Sequence, residues 1–201
     1  MDKSADVDHM NEIKALSVIH HPNIVLFMGY TYQDNCIQII TNFVEGNDLF
    51  HLLFKEKKWF DILDKTSIAE QTAQALAYIH RQNSPMIHRD VKPPNILIER
   101  GTLHVYVTDM GLARIKMGRA TMTQVRMIGT PYYVAPETFQ GAAGTASDVW
   151  AFGMVLLELY GERHAWGDVK SQHHLLGNIM TKQLPYIGHL DESRQTFVEL
   201  V

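Results

Sequence analysis

Sulfur chemistry is nearly absent from this chain: 201 residues contain one cysteine, Cys36. That excludes an internal disulfide framework and a cysteine-based metal site, and a lone thiol suits a reducing compartment, with the cytoplasm expected first and the nucleus second. Long apolar runs are lacking too. The longest, Val149 to Leu157, stops at Glu158, far short of the roughly 20 residues that span a bilayer, and predicts a buried core helix. The opening ten residues lack the apolar stretch of a secretion signal. Nor is there a basic excess: 18 Lys and Arg face 22 Asp and Glu, a net charge of -4, which gives no global electrostatic reason to bind nucleic acid or an anionic membrane. The 11 histidines include no His-Glu-x-x-His pattern, and His164, His173 and His174 read as a solvated stretch before a helix at Leu175. What remains is ordinary globular composition, 46% hydrophobic and 20% charged, with no repeat and no low-complexity linker.

Punctuation by proline, glycine and hydrophobic period divides the chain. Ile13, Leu16 and Ile19 recur at helical spacing, which predicts a leading helix ending at His21-Pro22. Two β-rich runs, 23–31 and 36–44, flank a turn at Gln33-Asp34-Asn35 and predict a hairpin. Glu45-Gly46-Asn47-Asp48 is expected to break the strand and cap a short helix from Leu49. Ile68, Thr72, Leu76 and Ile79 mark a longer helix starting near Ser67 and stopping near Asn83-Ser84-Pro85. Short strands come next at 96–98 and 103–107, which places 88–95 and 109–111 at strand ends. Residues 112–147 read as irregular, and helices resume at Asp148.

Those strand ends carry the chemistry. His88-Arg89-Asp90-Val91-Lys92-Pro93-Pro94-Asn95 matches the catalytic-loop pattern of eukaryotic protein kinases at His, Arg, Asp, Lys and Asn. Asp109-Met110-Gly111 stands where that family has Asp-Phe-Gly, and Gly129 to Glu137 closes on Ala135-Pro136-Glu137. Asp148-Val149-Trp150 resembles the start of the family's central large-lobe helix. His21-Pro22-Asn23-Ile24-Val25 resembles the segment leaving its regulatory helix, and Leu26-Phe27-Met28-Gly29-Tyr30 is similar to the Raf-like, tyrosine-kinase-like group. The motifs come in the family's order from about Asn11 onward.

The resemblance implies an α+β, bilobal kinase-like fold, with residues 1–45 as a partial small lobe and 46–201 as a mostly helical large lobe. It implies transfer of the γ-phosphate of MgATP to Ser or Thr of protein substrates, a signalling activity. Phosphoryl transfer is mostly positioning and charge neutralisation, so it requires a carboxylate at the attacking hydroxyl and hard oxygen ligands for Mg²⁺. By resemblance Asp90 orients the hydroxyl, Lys92 stabilises the moving phosphoryl group, and Asn95 and Asp109 hold metal. Lys92 and Gly129-Thr130-Pro131 resemble serine/threonine rather than tyrosine kinases, with Thr130 a structural and catalytic hydroxyl. Thr41 stands as gatekeeper, Asn42 to Val44 as the nucleotide-binding hinge, Leu97 as the floor under adenine, and Glu12 as the lysine-pairing glutamate. Phe43 and Val44 are equally compatible with an apolar strand end packing on the core. Met110, His88, Leu16 and Phe27 would form a stacked apolar column anchored at Asp148.

Arg89 implies pairing with a phosphate on the activation segment, with Thr121 and Thr123, near Arg119 and Arg126, as acceptors. Two solvated loop threonines fit those positions equally well. The pattern also departs from the family: the 13 glycines include no pair at i and i+2, and no strand lysine precedes Glu12. A late arginine that pairs with Glu137 in relatives is missing as well. The resemblance therefore implies a domain cut short at both ends, which keeps a second reading open: a catalytically dead pseudokinase or truncated isoform acting as an interaction scaffold. An upstream kinase, a partner kinase or a chaperone are the partners implied beyond substrate.

Overall fold

The computed structural model describes residues 13, 16–33, 36–109, 114–115 and 131–186. Helical backbone at Ile13 and Leu16 ends at Ser17 rather than at His21-Pro22, because other groups take over the backbone donors. Ile19 N donates to Leu16 O at 3.2 Å, His20 N to the Tyr78 hydroxyl at 3.1 Å, and Asn23 N to His21 Nδ1 at 3.1 Å.

The expected hairpin is present as β1 (Phe27–Gln33) and β2 (Cys36–Thr41), antiparallel, with Tyr30 opposite Ile39 and Tyr32 opposite Ile37. Asn42 extends it, donating N–H to Leu26 O at 3.1 Å and accepting Leu26 N at 2.6 Å on its side chain. The next segment corrects the sequence reading. Gly46–Asp48 forms a strand, β3, paired with β5 (Ile96–Glu99) and through it with β6 (Val105–Val107). Glycine is required there: a Cβ on Gly46 would lie 2.0 Å from Ile98 O. Asp48 does act as a cap, accepting His51 N at 2.8 Å, and the chain turns through a short π-helical segment, His51–Lys55.

Helix α1 (Ile62–His80) starts five residues before Ser67, because Asp61 caps it by accepting Asp64 N at 2.8 Å. Its Ile68, Thr72, Leu76 and Ile79 are buried as the period predicts. Strand β4 (Met86–Ile87) pairs with β7 (Arg114–Ile115), an element inside the stretch read as irregular. Helix α2 (Thr145–Gly161) carries the buried apolar run, and residues 151–160 are all buried. The helix runs past the apolar stretch to Gly161, and the Glu158 carboxylate that closes that stretch is itself 1% exposed. Helix α3 (Gln172–Met180) includes His173 and His174 in its first turn, both exposed, where the sequence reading had a loop.

The core lies between α1, α2 and the β3–β5–β6 sheet, and Leu16, Ile19 and Ile24 join it from the leading segment. Ile24 and Val107 bridge in parallel: Val107 N donates to Asn23 O at 2.8 Å and Val25 N to Val107 O at 3.1 Å. The Asn23 side chain completes this clamp, donating to Val105 O at 3.0 Å and to Gln71 Oε1 at 2.9 Å. A segment far upstream is thus fastened to the hairpin that precedes Asp109.

Candidate active site

Helix α2 begins by presenting Asp148, 1% exposed, to the segment after β4. Its Oδ2 accepts His88 N at 2.8 Å and lies 2.8 Å from His80 Nε2, and its Oδ1 accepts Arg89 N at 2.8 Å. A carboxylate out of water is tolerable only when its lone pairs are used, and three donors use them. The result is a fixed loop origin. Arg89 sits there at φ +70, a left-handed conformation that costs a branched or long side chain free energy and persists where neighbours over-determine it.

His88 is fully buried and ties the loop to the segment after β6. Its Nδ1 accepts Asp90 N at 3.3 Å, so the ring proton sits on Nε2, which donates to Thr108 O at 3.0 Å. Burial lowers this imidazole below its ordinary value, outweighing the opposing pull of Asp148, the Thr108 carbonyl, Asp90 and Asp109. It acts as a neutral brace.

Asp90, Lys92 and Asn95 converge at the end of that brace. Pro93–Asn95 forms a 3₁₀ turn that brings the Asn95 amide back over the loop. Asn95 Nδ2 donates to Asp90 O at 2.7 Å and Asp90 Oδ2 at 2.9 Å, and Lys92 Nζ lies 2.8 Å from the same Oδ2. Both neighbours of the Asn95 amide nitrogen are acceptors, which fixes the amide orientation and turns Oδ1 away from them. One oxygen of Asp90 is therefore held twice, while Oδ1 has no partner among the described residues. Thr108 N donates to Asn95 O at 3.0 Å, so Asp109 comes directly after, exposed, at φ +61.

Beside Asp109 is a cavity of about 260 Å³, lined among others by Leu16, Ile24, Phe27, Thr41, Thr108 and Asp109. Thr41 and Asp109, 68 positions apart, thus face one space. Asn42 does not: its N–H is spent on Leu26. Phe43 is 88% exposed and is not packed against the core, against the strand-end reading. Among the described residues no backbone hydrogen bond involves Phe43 or Val44, which leaves their amides and carbonyls available to a ligand edge. Leu97 is half-buried on β5 opposite Tyr106 and is not part of the cavity wall. Leu16 and Phe27 share that wall and His88 is buried behind Thr108. Glu12, Met110, Thr121, Thr123 and Thr130 lie outside the described residues.

The hard oxygens suit a magnesium ion. Asn95 Oδ1 is turned free and the Asp109 carboxylate has no partner among the described residues. No group of three or more His, Cys, Asp or Glu able to hold a metal occurs among them, and Mg²⁺ characteristically takes one or two protein oxygens and completes its shell with phosphates and water.

Sequence reasoning missed His80, whose position in the last turn of α1 is visible but whose partner lies 68 residues away. It also missed a second cluster. Glu158 Oε2 accepts the Tyr133 hydroxyl at 2.9 Å, and its Oε1 accepts Ala165 N at 3.2 Å and lies 3.4 Å from His164 Nδ1. Burial pushes the Glu158 carboxyl up, offset in part by those donors, and pushes the Tyr133 phenol up too. A glutamate interrupting an otherwise apolar helix was the available signal. His164 is no free loop residue: it also stacks on Phe54 at 4.1 Å.

The profile of the Protein kinase domain family matches residues 1–199. The chain belongs to the protein kinase family. Among curated relatives it is 33% identical over 165 residues to the serine/threonine-protein kinase CTR1 of Arabidopsis thaliana, covering 81% of this chain and 20% of that protein. It is 32% identical over 201 residues to the serine/threonine-protein kinase SSK22 of Saccharomyces cerevisiae, covering 90% of this chain and 15% of the relative. With the serine/threonine-protein kinase Nek4 of Mus musculus it shares 35% over 179 residues, 87% of this chain and 22% of the relative. The chain thus spans about a fifth of the length of these kinases, and the serine/threonine class implied by Lys92 is the class they carry. The protein kinase family implies use of ATP and a divalent metal. Among the described residues no helix is long and apolar enough to cross a membrane.

Proposed function

We propose that this chain is a protein serine/threonine kinase core that transfers the γ-phosphate of MgATP to a hydroxyl of a protein substrate. The observation that carries it is the division of labour within the Asp90 carboxylate: Oδ2 is locked by Asn95 and Lys92, and Oδ1 is left to receive a hydroxyl. Oriented in this way, Oδ1 accepts the proton hydrogen bond of the incoming Ser or Thr and aims its oxygen for in-line attack. The Lys92 ammonium, 2.8 Å from Asp90, is placed to balance negative charge building on the transferring group. Asn95 Oδ1 and the Asp109 carboxylate would hold Mg²⁺, which when bound neutralises phosphate charge. Adenine would sit against the backbone of Phe43 and Val44, which makes no backbone hydrogen bond among the described residues, with Thr41 lining the cavity beside Asp109.

The test is radiolabel transfer from ATP to a general Ser/Thr substrate protein. Asp90→Asn should lower transfer by about 10²–10⁴ with ATP affinity little changed, whereas Asp109→Asn should weaken Mg²⁺-dependent nucleotide binding. Equal transfer by wild type and Asp90→Asn would overturn the assignment.

A further inference from the structure

A second cavity, of about 340 Å³, shares no lining residue with the one at Thr41 and Asp109. Leu53, Phe54, Lys57, Lys58, Trp59 and Glu162 surround it. Its apolar wall is fixed: Leu53 is buried and Phe54 stacks on His164 at 4.1 Å and 24°. Its outer edge is not covered. Trp59 is 74% exposed, and Leu63 just beyond it is 75% exposed.

Among the lining residues cations outnumber carboxylates. The one carboxylate, Glu162, its side chain half exposed, pairs with Lys65, whose buried ammonium lies 2.5 Å from Oε1. Glu56, which keeps its charge, is outside the lining and is held by Asn47 at 2.7 Å and His51 at 3.3 Å. Among the described residues neither Lys57 nor Lys58 has an ion-pair partner; Lys58 Nζ is set 5.2 Å over the Phe60 ring. The backbone adds a second observation. Lys57 has φ +50 immediately after the π-helical turn, and Lys58 N donates to Leu52 O at 2.8 Å. That is a helix-terminating position where glycine or asparagine is favoured, yet a lysine occupies it and lines the cavity.

We infer that this cavity docks a peptide segment of a partner protein in which an apolar side chain is flanked by carboxylates. The apolar side chain enters between Phe54 and Trp59, where it buries an indole that otherwise faces water. The flanking carboxylates pair with Lys57 and Lys58, and a basic flank is repelled by them. The surface is independent of phosphoryl transfer, so it stands or falls apart from the proposed activity.

Fluorescence anisotropy tests it on the full 201-residue chain, using short labelled peptides that carry Leu, Phe or Trp between Asp and Glu residues. Each is compared with the same peptide bearing Lys in place of its acids and with one bearing Ser in place of its apolar residue. The acidic, apolar peptides should bind most tightly. The double variant Lys57→Gly, Lys58→Ser should lose about three- to tenfold in affinity, the share of two exposed charge pairs. Its urea midpoint should be unchanged or higher, because Gly relaxes the left-handed turn. Trp59→Ala should also weaken binding. The inference is overturned if no acidic peptide binds more tightly than its lysine counterpart or if the double variant binds undiminished. It is equally overturned if light scattering shows the chain dimerising through this face, with Trp59→Ala abolishing the dimer and the acidic peptides failing to compete.

Discussion

The α2 helix and the β1–β2 hairpin are opposites in how they are held. In α2 every residue from 151 to 160 is buried, and Asp148 at its start organises the loop from His88 to Asn95 through three donors. In the hairpin Met28, Tyr30, Tyr32 and Ile40 are 65%, 43%, 56% and 48% exposed. The difference separates two tasks. The residues assigned to transfer, Asp90, Lys92 and Asn95, are arranged by the buried body, whereas a third of the wall of the cavity beside Asp109 is borrowed from the hairpin through Phe27, Ile39 and Thr41.

If that separation is right, the largest loss comes from the body. Asp148→Ala leaves two backbone N–H groups and His80 without their acceptor and should cost about 3–5 kcal/mol in urea unfolding. A loss of only a few tenths would show that the loop is organised elsewhere. Next is Gly46→Ala, where the added methyl meets Ile98 O; about 1–3 kcal/mol should be lost, with β3 detached from β5.

Acidity sharpens the comparison within the body itself. His88 is lowered from 6.5, so its contribution is present above pH 6.5 and is lost as pH falls toward its folded value, where the unfolded chain binds the extra proton. Glu158 is raised from 4.5, so its contribution is present below pH 4.5 and is lost as pH rises through its folded value. Glu158→Gln should therefore flatten the decline on the rising side and leave the His88 limb intact, as read by urea midpoints across pH. An unchanged profile would place the titration elsewhere.

The smallest effect is expected in the hairpin. Met28→Thr with Ile40→Thr should change unfolding free energy by about 0.5 kcal/mol or less, while reducing self-association in light scattering, since exposed apolar faces on free strands invite pairing. A loss as large as that of Asp148→Ala would erase the distinction between the two regions.

Legibility in the sequence divides along the same line. The loop from His88 to Asn95 was legible because its chemistry is contiguous, and β5, β6 and the buried face of α1 because their hydrophobic periods are regular. Strand β3 was not: Gly46-Asn47-Asp48 has turn composition, and only its pairing with β5 makes it extended. The start of α1 was hidden because Ile62 and Leu63 face solvent and break the apolar period. Asn42 looked like an open hinge group, and its engagement by Leu26 depends on hairpin register. His80 with Asp148 and Tyr133 with Glu158 are long-range pairings that no local pattern encodes.

Thr108 is gripped on both sides, its N–H by the Asn95 carbonyl and its carbonyl by His88. Neither of the two peptides flanking Thr108 can turn without breaking its bond, so the first backbone torsion with freedom is that of Asp109, already left-handed. Rotation at that one residue would swing its carboxylate away while Asn95 stayed in place. Between the two groups proposed to hold metal there is thus one backbone position free to turn, and its torsion, with the rotamer of Asp109, sets whether the carboxylate points toward Asn95.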